Sequence, residues 1–379
     1  MRRLSLLIVG WTLLCGSGSA FRAQAQNSSH IIGPTQGRVE VKRAGWRNYI
    51  PATMGMLLKN GDAIRLVSPG ARATIFCADA SVLQVPSSSY QLQCPSNRPV
   101  ISSFKGSRVT KVRGGASITN SFPIVIAPRM TKLITARPVL RWLPARDATD
   151  YRVSVIRGAE EVWSADVGDV TKFVYPASAP ALVPGVTYRL VVAVANTSSD
   201  RDRTPNLGFS LLNQAEAQAV NEAAARIRGL NLPDATTRFL LANLYASWGI
   251  DPNNPDSDMK ALNYEAIEQL LALPEAQQEP ATTRLLGDLY LTIGLNSLAE
   301  EQYRKALSLS ESRGDTEGQA WAQYSLGRIY KVRLNVAEAT QRLQSAKALF
   351  QSFGDAESVA KVDREISTLT APATPSNIR

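Results

Sequence analysis

The chain has 379 residues, enough for two or three domains, and its 44% hydrophobic content is ordinary for a folded protein. Lys and Arg outnumber Asp and Glu by 42 to 32, which gives a net charge of +10, and the sequence holds one histidine, His30. Because His30 is expected in a flexible N-terminal tail, Ser-His-Asp triads, Cys-His pairs and histidine-based metal sites are excluded. The sequence also lacks a Gly-rich phosphate loop and a Gly-x-Ser-x-Gly turn. We therefore expect no enzyme activity and no cofactor.

The N-terminus has the order of a secretory signal. Arg2 and Arg3 precede an apolar run over residues 4–15, and small residues then lead to Ala23-Gln24-Ala25. This order predicts a signal peptide over residues 1–25, cleaved after Ala25 or, alternatively, after Ala20. An uncleaved anchor is the rival interpretation. No later window reaches the ~18 apolar residues of a membrane span. We expect a periplasmic or secreted protein with no transmembrane segment in the mature chain.

Residues 26–100 carry the signals of short β-strands. Val39 and Val41 alternate with polar residues after Gly37, and Gly61-Asp62 marks a turn. With Trp46, Gly55, Leu58, Ala71, Ala73 and Asp79-x-Ser81, this pattern resembles the β domain of FecR-like proteins, although Ala80 stands where that family usually has Gly. Turn residues that recur about every ten positions predict a small sandwich or barrel. The family's signalling role is not carried over, because the chain lacks the internal span and cytoplasmic head that this role uses.

Two cysteines, Cys77 and Cys94, remain after signal cleavage. An exported protein meets an oxidising compartment, so we expect these two residues to form a disulfide. Closing a loop of about 18 residues would stabilise the fold by roughly 3 kcal/mol. Two buried free thiols are the alternative.

Positive charge is concentrated near the N-terminus. Residues 26–135 hold 14 Lys and Arg against 3 Asp and Glu, whereas residues 201–379 hold 18 against 22. Residues 101–130 are predicted to be a basic linker. Its candidate polyanion-binding side chains are Lys105, Arg108, Lys111 and Arg113, and a solvated, flexible face is the alternative. Because the protein is expected to be exported, an anionic envelope polymer is a better candidate partner than nucleic acid.

Residues 131–200 predict a second β domain. Trp142 lies on an early apolar strand, and the run from Leu182 to Tyr188 places an aromatic side chain at a strand entrance. There its hydroxyl can tie down the preceding corner. The pattern resembles a shortened fibronectin type III-like domain. Domains of this kind are spacers or docking platforms, and the resemblance does not distinguish the two.

Residues 207–370 have helical spacing, with a lead helix expected from Phe209 to Gly229 and a closing helix from Asp355. Gly287 and Gly327 lie 40 residues apart in the same pattern of small and large side chains. This pattern resembles tetratricopeptide repeats, which implies stacked helical hairpins with a concave binding face. The polar insertion at residues 251–258 lacks the central Gly and terminal Glu of a calcium loop. Residues 371–379 are predicted to be a flexible tail.

One helical face of the third repeat is a candidate protein-binding groove. Four side chains share this face at helical spacing, and two more occupy the matching positions one repeat earlier. Aromatic rings beside cations can hold an extended peptide by stacking and charge-assisted hydrogen bonds. The alternative is that Trp321 packs on the preceding repeat. The six residues are Trp321, Tyr324, Arg328, Lys331, Arg284 and Asp288.

Together these patterns predict a multidomain α+β protein, with N-terminal all-β modules followed by a C-terminal α-helical solenoid of the tetratricopeptide-repeat type. The function that fits them is a non-catalytic exported scaffold or adaptor that binds a protein partner through its helical groove. The alternative function is binding of an envelope polyanion or glycan through the basic N-terminal module.

Overall fold

A computed structural model describes residues 29–95, 121–249 and 261–370. Within these ranges the N-terminal part folds into small, mostly antiparallel sheets, and the C-terminal part contains eight α-helices. The chain is therefore an α+β protein, with its β modules preceding its helices as predicted.

The first β unit contains eight short strands: β1 (His30–Gln36), β2 (Val39–Lys42), β3 (Ile50–Pro51), β4 (Leu57–Leu58), β5 (Ala63–Leu66), β6 (Arg72–Phe76), β7 (Val82–Gln84) and β8 (Ser89–Gln91). They form two four-stranded antiparallel sheets, with strand orders β4-β1-β6-β7 and β3-β2-β5-β8. Val39 and Val41 pair with Leu66 and Ile64, and the alternation along β2 turns both valines into the core.

The second β unit contains the strands β9 (Ile124–Ala127), β10 (Thr131–Leu133), β11 (Val139–Leu143), β12 (Tyr151–Arg157), β13 (Glu160–Gly168), β14 (Lys172–Val174), β15 (Arg189–Val194), β16 (Thr197–Ser198) and β17 (Phe209–Leu211). They form two antiparallel sheets, β14-β11-β9 and β13-β12-β15-β16, and a parallel pair, β10 and β17. Trp142 is buried, with its ring 5.5 Å from that of Tyr151. The Tyr188 hydroxyl accepts a hydrogen bond from the Val183 N–H at 3.0 Å, which confirms the predicted corner contact.

Two strands of this unit lie outside the limits predicted for it. β9 falls within the predicted linker and pairs with β11. β17 occupies residues expected to begin the lead helix. That helix begins at Gln214 instead, because Asn213 caps it: the Asn213 side chain accepts from the Glu216 N–H, and the Glu216 side chain accepts from the Asn213 N–H.

The helical region follows β17. Its helices are α1 (Gln214–Arg228), α2 (Asp234–Ser247), α3 (Asn263–Leu271), α4 (Pro280–Thr292), α5 (Asn296–Arg313), α6 (Thr316–Val332), α7 (Val336–Phe353) and α8 (Ala356–Thr370). A Cβ on Gly287 would lie 2.7 Å from Tyr303, and one on Gly327 would lie 2.7 Å from Leu343. The two glycines thus let α4 approach α5 and α6 approach α7, as the 40-residue spacing predicted. Among the described helices, none combines the length and apolar character that a membrane crossing requires.

The first β unit packs against one edge of the helical region. Trp46 and Phe353 have ring centroids 4.7 Å apart, and the Arg47 and Asn48 N–H groups donate to the Phe353 carbonyl at 3.1 and 3.2 Å. Gly55 approaches α4 so closely that a Cβ there would lie 2.2 Å from the Ala281 Cβ. This edge is formed by the N-terminal ends of α4 and α6 and by the turn before α8.

The second β unit packs against α3 and the turn between α4 and α5. The Tyr264 hydroxyl accepts from the Val139 N–H at 2.8 Å, and the Glu265 carboxyl accepts from the Ile134 N–H at 2.6 Å. The buried Arg129 donates to the Ile293 carbonyl at 2.7 Å and forms an ion pair with Asp202 at 2.5 Å. Val139, Ile134 and Arg129 thus each donate a hydrogen bond to the helical region across this contact.

Candidate functional site

A cleft of about 630 Å³ lies between the first β unit and the N-terminal ends of α4, α6 and α8. Apolar side chains from both sides line it, together with charged groups near its mouth. Its lining includes Trp46, Met54, Met56, Leu57, Lys59, Pro280, Ala281, Arg284, Trp321, Lys361 and Arg364. In volume and in its mixture of apolar and polar groups, the cleft matches the usual dimensions of ligand sites.

The pair of Arg43 and Glu317 holds the two walls of the cleft together. The Arg43 guanidinium donates to both Glu317 carboxylate oxygens, at 2.6 and 2.9 Å, and to the Leu57 carbonyl at 2.7 Å. The guanidinium carbon also lies 4.6 Å from the Trp46 ring centroid. A bidentate, partly buried ion pair of this kind fixes the relative orientation of the two side chains as well as the distance between them.

Trp321 forms part of the helical wall. Its Nε1–H donates to Glu317 at 3.0 Å, and its ring packs edge-on against Phe350 at 5.0 Å between centroids. The Lys361 ammonium lies 4.9 Å from the Trp321 ring and 5.0 Å from the Tyr324 ring. Burial lowers the pKa of Lys361, and the nearby charge of Arg328 acts in the same direction. Trp321 therefore packs on its neighbours and lines the cleft at the same time.

Arg284 lies at the cleft wall, and Asp288 lies beneath it. The two side chains form an ion pair at 3.2 Å, one turn apart on α4. Asp288 is buried and accepts a hydrogen bond from the Tyr303 hydroxyl at 2.7 Å. Burial raises the pKa of Asp288, whereas the charge of Arg284 opposes that shift. Asp288 thus anchors the contact between α4 and α5 and orients Arg284.

The remaining three candidates, Tyr324, Arg328 and Lys331, contact the closing helix α8. The Lys331 ammonium forms a 2.5 Å ion pair with Glu365, whose carboxylate also lies 3.4 Å from the Tyr324 hydroxyl and 3.9 Å from Arg328. Of the six residues predicted to form one groove, Arg284 and Trp321 line the cleft. The other four pack beneath it or beside it.

Among the cleft residues that sequence reasoning missed are Arg43, Lys361 and Arg364. Arg43 lies 274 positions from its partner Glu317, so no local pattern joins them. Lys361 and Arg364 do follow a detectable signal, since they lie three residues apart on one face of the predicted closing helix. Continuing the face of Trp321 and Arg284 by one more repeat would have found them.

The expectation that His30 lies in a flexible tail is wrong. His30 begins β1 and is buried, with its Nδ1 accepting from the Ala78 N–H at 3.1 Å, and burial lowers its pKa. Potential ligand atoms of His30, Cys77 and Cys94 lie within 4.8 Å of one another. The structure joins Cys77 to Cys94 in a disulfide with 5.6 Å between their Cα atoms. With both sulfurs bonded to each other and Nδ1 engaged, the cluster acts as core packing.

Several predicted features lie outside the described residues. They are the signal peptide over residues 1–25, the polyanion candidates Lys105, Arg108, Lys111 and Arg113, the polar insertion at 251–258 and the tail at 371–379.

Comparisons with known proteins add little to this geometry. No protein-family model matches the chain, and no curated protein matches it. A crystal structure of BtubC (BKLC) from P. vanneervenii is similar at 25% sequence identity over 41% of this chain, with a TM-score of 0.26. The match covers 60% of the BtubC chain, less than two thirds of its length. A TM-score this low supports no argument about fold or function.

Proposed function

We propose that this protein is a non-catalytic, exported adaptor of the tetratricopeptide-repeat type that binds an extended segment of a partner protein in the cleft. The observation that supports the proposal is the shared lining. The first β unit and three helices all contribute side chains to one concavity of about 630 Å³. In this proposal the FecR-like unit is a wall of the binding site, and the fibronectin-like unit braces the helices from the other edge.

The charged groups of the cleft support binding over catalysis. Asp315 and Asp355 cap α6 and α8 by accepting from the N–H groups of Gly318 and Ser358, at 2.8 and 2.9 Å. Glu317 is bound to Arg43. A general base must be within reach of the proton it abstracts, and these three carboxylates are already committed to structural hydrogen bonds. Apolar walls beside such fixed polar groups suit binding of a side chain and the backbone of a partner peptide.

A bulky side chain placed in the cleft tests the proposal. Ala356 is exposed at the start of α8 and lines the cleft, so Ala356→Trp should fill it without disturbing a core. Ala215, exposed on α1 and away from the cleft, provides the matched control Ala215→Trp. We expect Ala356→Trp to weaken capture of the partner from an envelope extract by about tenfold or more, equivalent to ~1.4 kcal/mol. Ala215→Trp should capture like the unmodified protein.

A photo-crosslinking residue at Lys59, on the rim, locates the bound segment. The same partner should be crosslinked from position 59 and not from exposed Gln218 on α1. Undiminished capture by Ala356→Trp, with crosslinks from position 218, would place the binding surface elsewhere and overturn the proposal.

A further inference from the structure

We infer that the segment bound in the cleft is acidic, and that Lys361, Arg364 and Lys59 hold its carboxylates. This inference rests on the proposed function, because it specifies the chemistry of the segment that the cleft accepts.

Most acidic side chains of the cleft already accept hydrogen bonds from within the protein. Asp62 accepts from the Ala44 and Lys59 N–H groups at 3.0 and 2.8 Å, and Asp315 accepts from the Gly318 N–H. Asp355 accepts from both the N–H and the hydroxyl of Ser358. Glu317 is paired with Arg43, which leaves Glu357 as the exposed acid of the lining. A cationic ligand would find few carboxylate oxygens without partners.

Three positively charged side chains of the cleft have no partner of opposite charge among the described residues. Across the described part of the chain, Lys361, Arg364 and Lys59 form no ion pair within 4.0 Å, whereas Arg43 and Arg284 are paired with Glu317 and Asp288. Lys59 and Arg364 are exposed at the mouth, and Lys361 is partly buried deeper in the lining. The cleft therefore presents three positive groups without carboxylate partners.

Lys361 is the cation best placed to select a carboxylate. Its ammonium is held against the aromatic rings of Trp321 and Tyr324, where ring faces replace part of its water shell. Desolvation and the charge of Arg328 both lower the pKa of Lys361, while Asp288, Glu365 and Glu357 raise it. A ligand carboxylate would supply the charge-assisted hydrogen bond that this site lacks. The aromatic rings and Met54 and Met56 would meanwhile contact an apolar neighbour in the same segment.

The inference is tested with the mature chain, residues 26–379, and three fluorescein-labelled twelve-residue peptides. In these peptides leucine alternates with glutamate, glutamine or lysine, and affinity is followed by fluorescence anisotropy at low and high salt. We expect the glutamate peptide to bind at least about tenfold more tightly than the glutamine peptide, with a preference that weakens as salt screens the charges.

Variants then assign the preference to its residues. Lys361→Met and Arg364→Gln should each reduce affinity for the glutamate peptide by about tenfold, and Lys361→Arg should retain most of it. Lys305→Met is the matched control, because Lys305 is paired with Glu275 and does not line the cleft. Thermal melts of all variants show whether a loss reflects binding or unfolding. Arg364→Gln, at an exposed position, keeps the inference testable if Lys361→Met does not fold.

Other results of the peptide experiment would contradict either the acidic preference or the proposed function. Equal binding of the glutamate and glutamine peptides, still blocked by Ala356→Trp, would overturn the acidic preference and leave the proposed function standing. Failure of every peptide to bind would contradict both. Binding of an anionic polysaccharide with the same dependence on Lys361, and of no peptide, would overturn the assignment to a protein segment.

Discussion

At the scale of single residues, Glu265 shows how a buried carboxyl joins the helices to the second β unit. It lies in the first turn of α3 and accepts a hydrogen bond from the Ile134 N–H. Burial raises its pKa from the usual 4.5 to about 8. The side chain is therefore largely protonated at neutral pH, and ionising it would place an unpaired charge inside the contact.

We expect this residue to make the folded state more stable at acidic than at alkaline pH. Because the folded pKa is raised, the stabilisation is fully present below the unfolded value and is lost as the pH rises through about 8. The loss is on the order of 3–5 kcal/mol well above that pH. Urea unfolding at pH 5, 7 and 9 should show this decline in the unmodified protein and a much flatter profile in Glu265→Gln.

The control for this experiment is Glu268→Gln, one turn along the same helix, where the side chain is instead paired with Arg141. It should keep the decline of the unmodified protein. An identical pH profile in Glu265→Gln would show that another group causes the dependence.

At the scale of secondary-structure elements, two equivalent helix ends differ in what lies against them. Gly314 ends α5 and Gly354 ends α7, both in the left-handed conformation, with φ of 65° and 80°. A Cβ on Gly314 would meet nothing within 4 Å, whereas one on Gly354 would lie 2.7–2.9 Å from Arg47 of the first β unit. The same kind of cap thus only ends the helix at Gly314, whereas at Gly354 it also leaves room for the first β unit.

Alanine substitutions separate these two roles. Gly314→Ala should cost about 1–2 kcal/mol, the usual penalty for a left-handed residue with a Cβ. Gly354→Ala should cost about 1–3 kcal/mol more, because Arg47 must move as well. Chemical denaturation of the two variants measures the difference. Equal losses of stability would mean that the first β unit shifts freely on the helices.

At the scale of the whole molecule, the cleft exists because the first β unit is fixed against the helices. Arg43 and Glu317 make this link, with side chains 20% and 7% exposed. An exposed pair in the second β unit, Arg157 and Glu160, has side chains 48% and 62% exposed. The two pairs have similar chemistry and differ mainly in solvation.

A double-mutant cycle on each pair should show this difference. With Gln replacing each partner, we expect a coupling free energy of about 1–3 kcal/mol for Arg43 and Glu317, and no measurable coupling for Arg157 and Glu160. Loss of the first pair should also weaken binding in the cleft, since its walls would separate. Equal coupling free energies for the two pairs would contradict the view that Arg43 and Glu317 fix the first β unit against the helices.

Much of the fold could be predicted because its signals are local. Val39 and Val41 alternate as a half-buried strand must, and Tyr188 follows a Pro-Gly corner that its hydroxyl ties down. Errors arose where a neighbour overrode the local pattern. Phe209 belongs to a helix-like run but pairs in β17 with β10, and His30 follows the predicted signal peptide but completes β1.

The candidate site was only half predictable. Helical spacing placed Trp321 and Arg284 on equivalent faces, and both line the cleft. Spacing alone did not reveal that α8 would engage Tyr324, Arg328 and Lys331 through Glu365. Periodicity describes which residues share a face, and it contains no information about which element will cover that face.

The order of β units and helices, and the close helix contacts at Gly287 and Gly327, follow from local sequence patterns. Side-chain size and spacing over a few residues produce them wherever the segment lies in the fold. The position of the first β unit as a wall of the cleft instead depends on tertiary contacts. That result depends on the contact of Arg43 with Glu317, 274 positions apart, and of Gly55 with Ala281. Contacts of this kind form where the surfaces of two folded units meet. The shapes and charges of these surfaces complement each other only once the chain has folded.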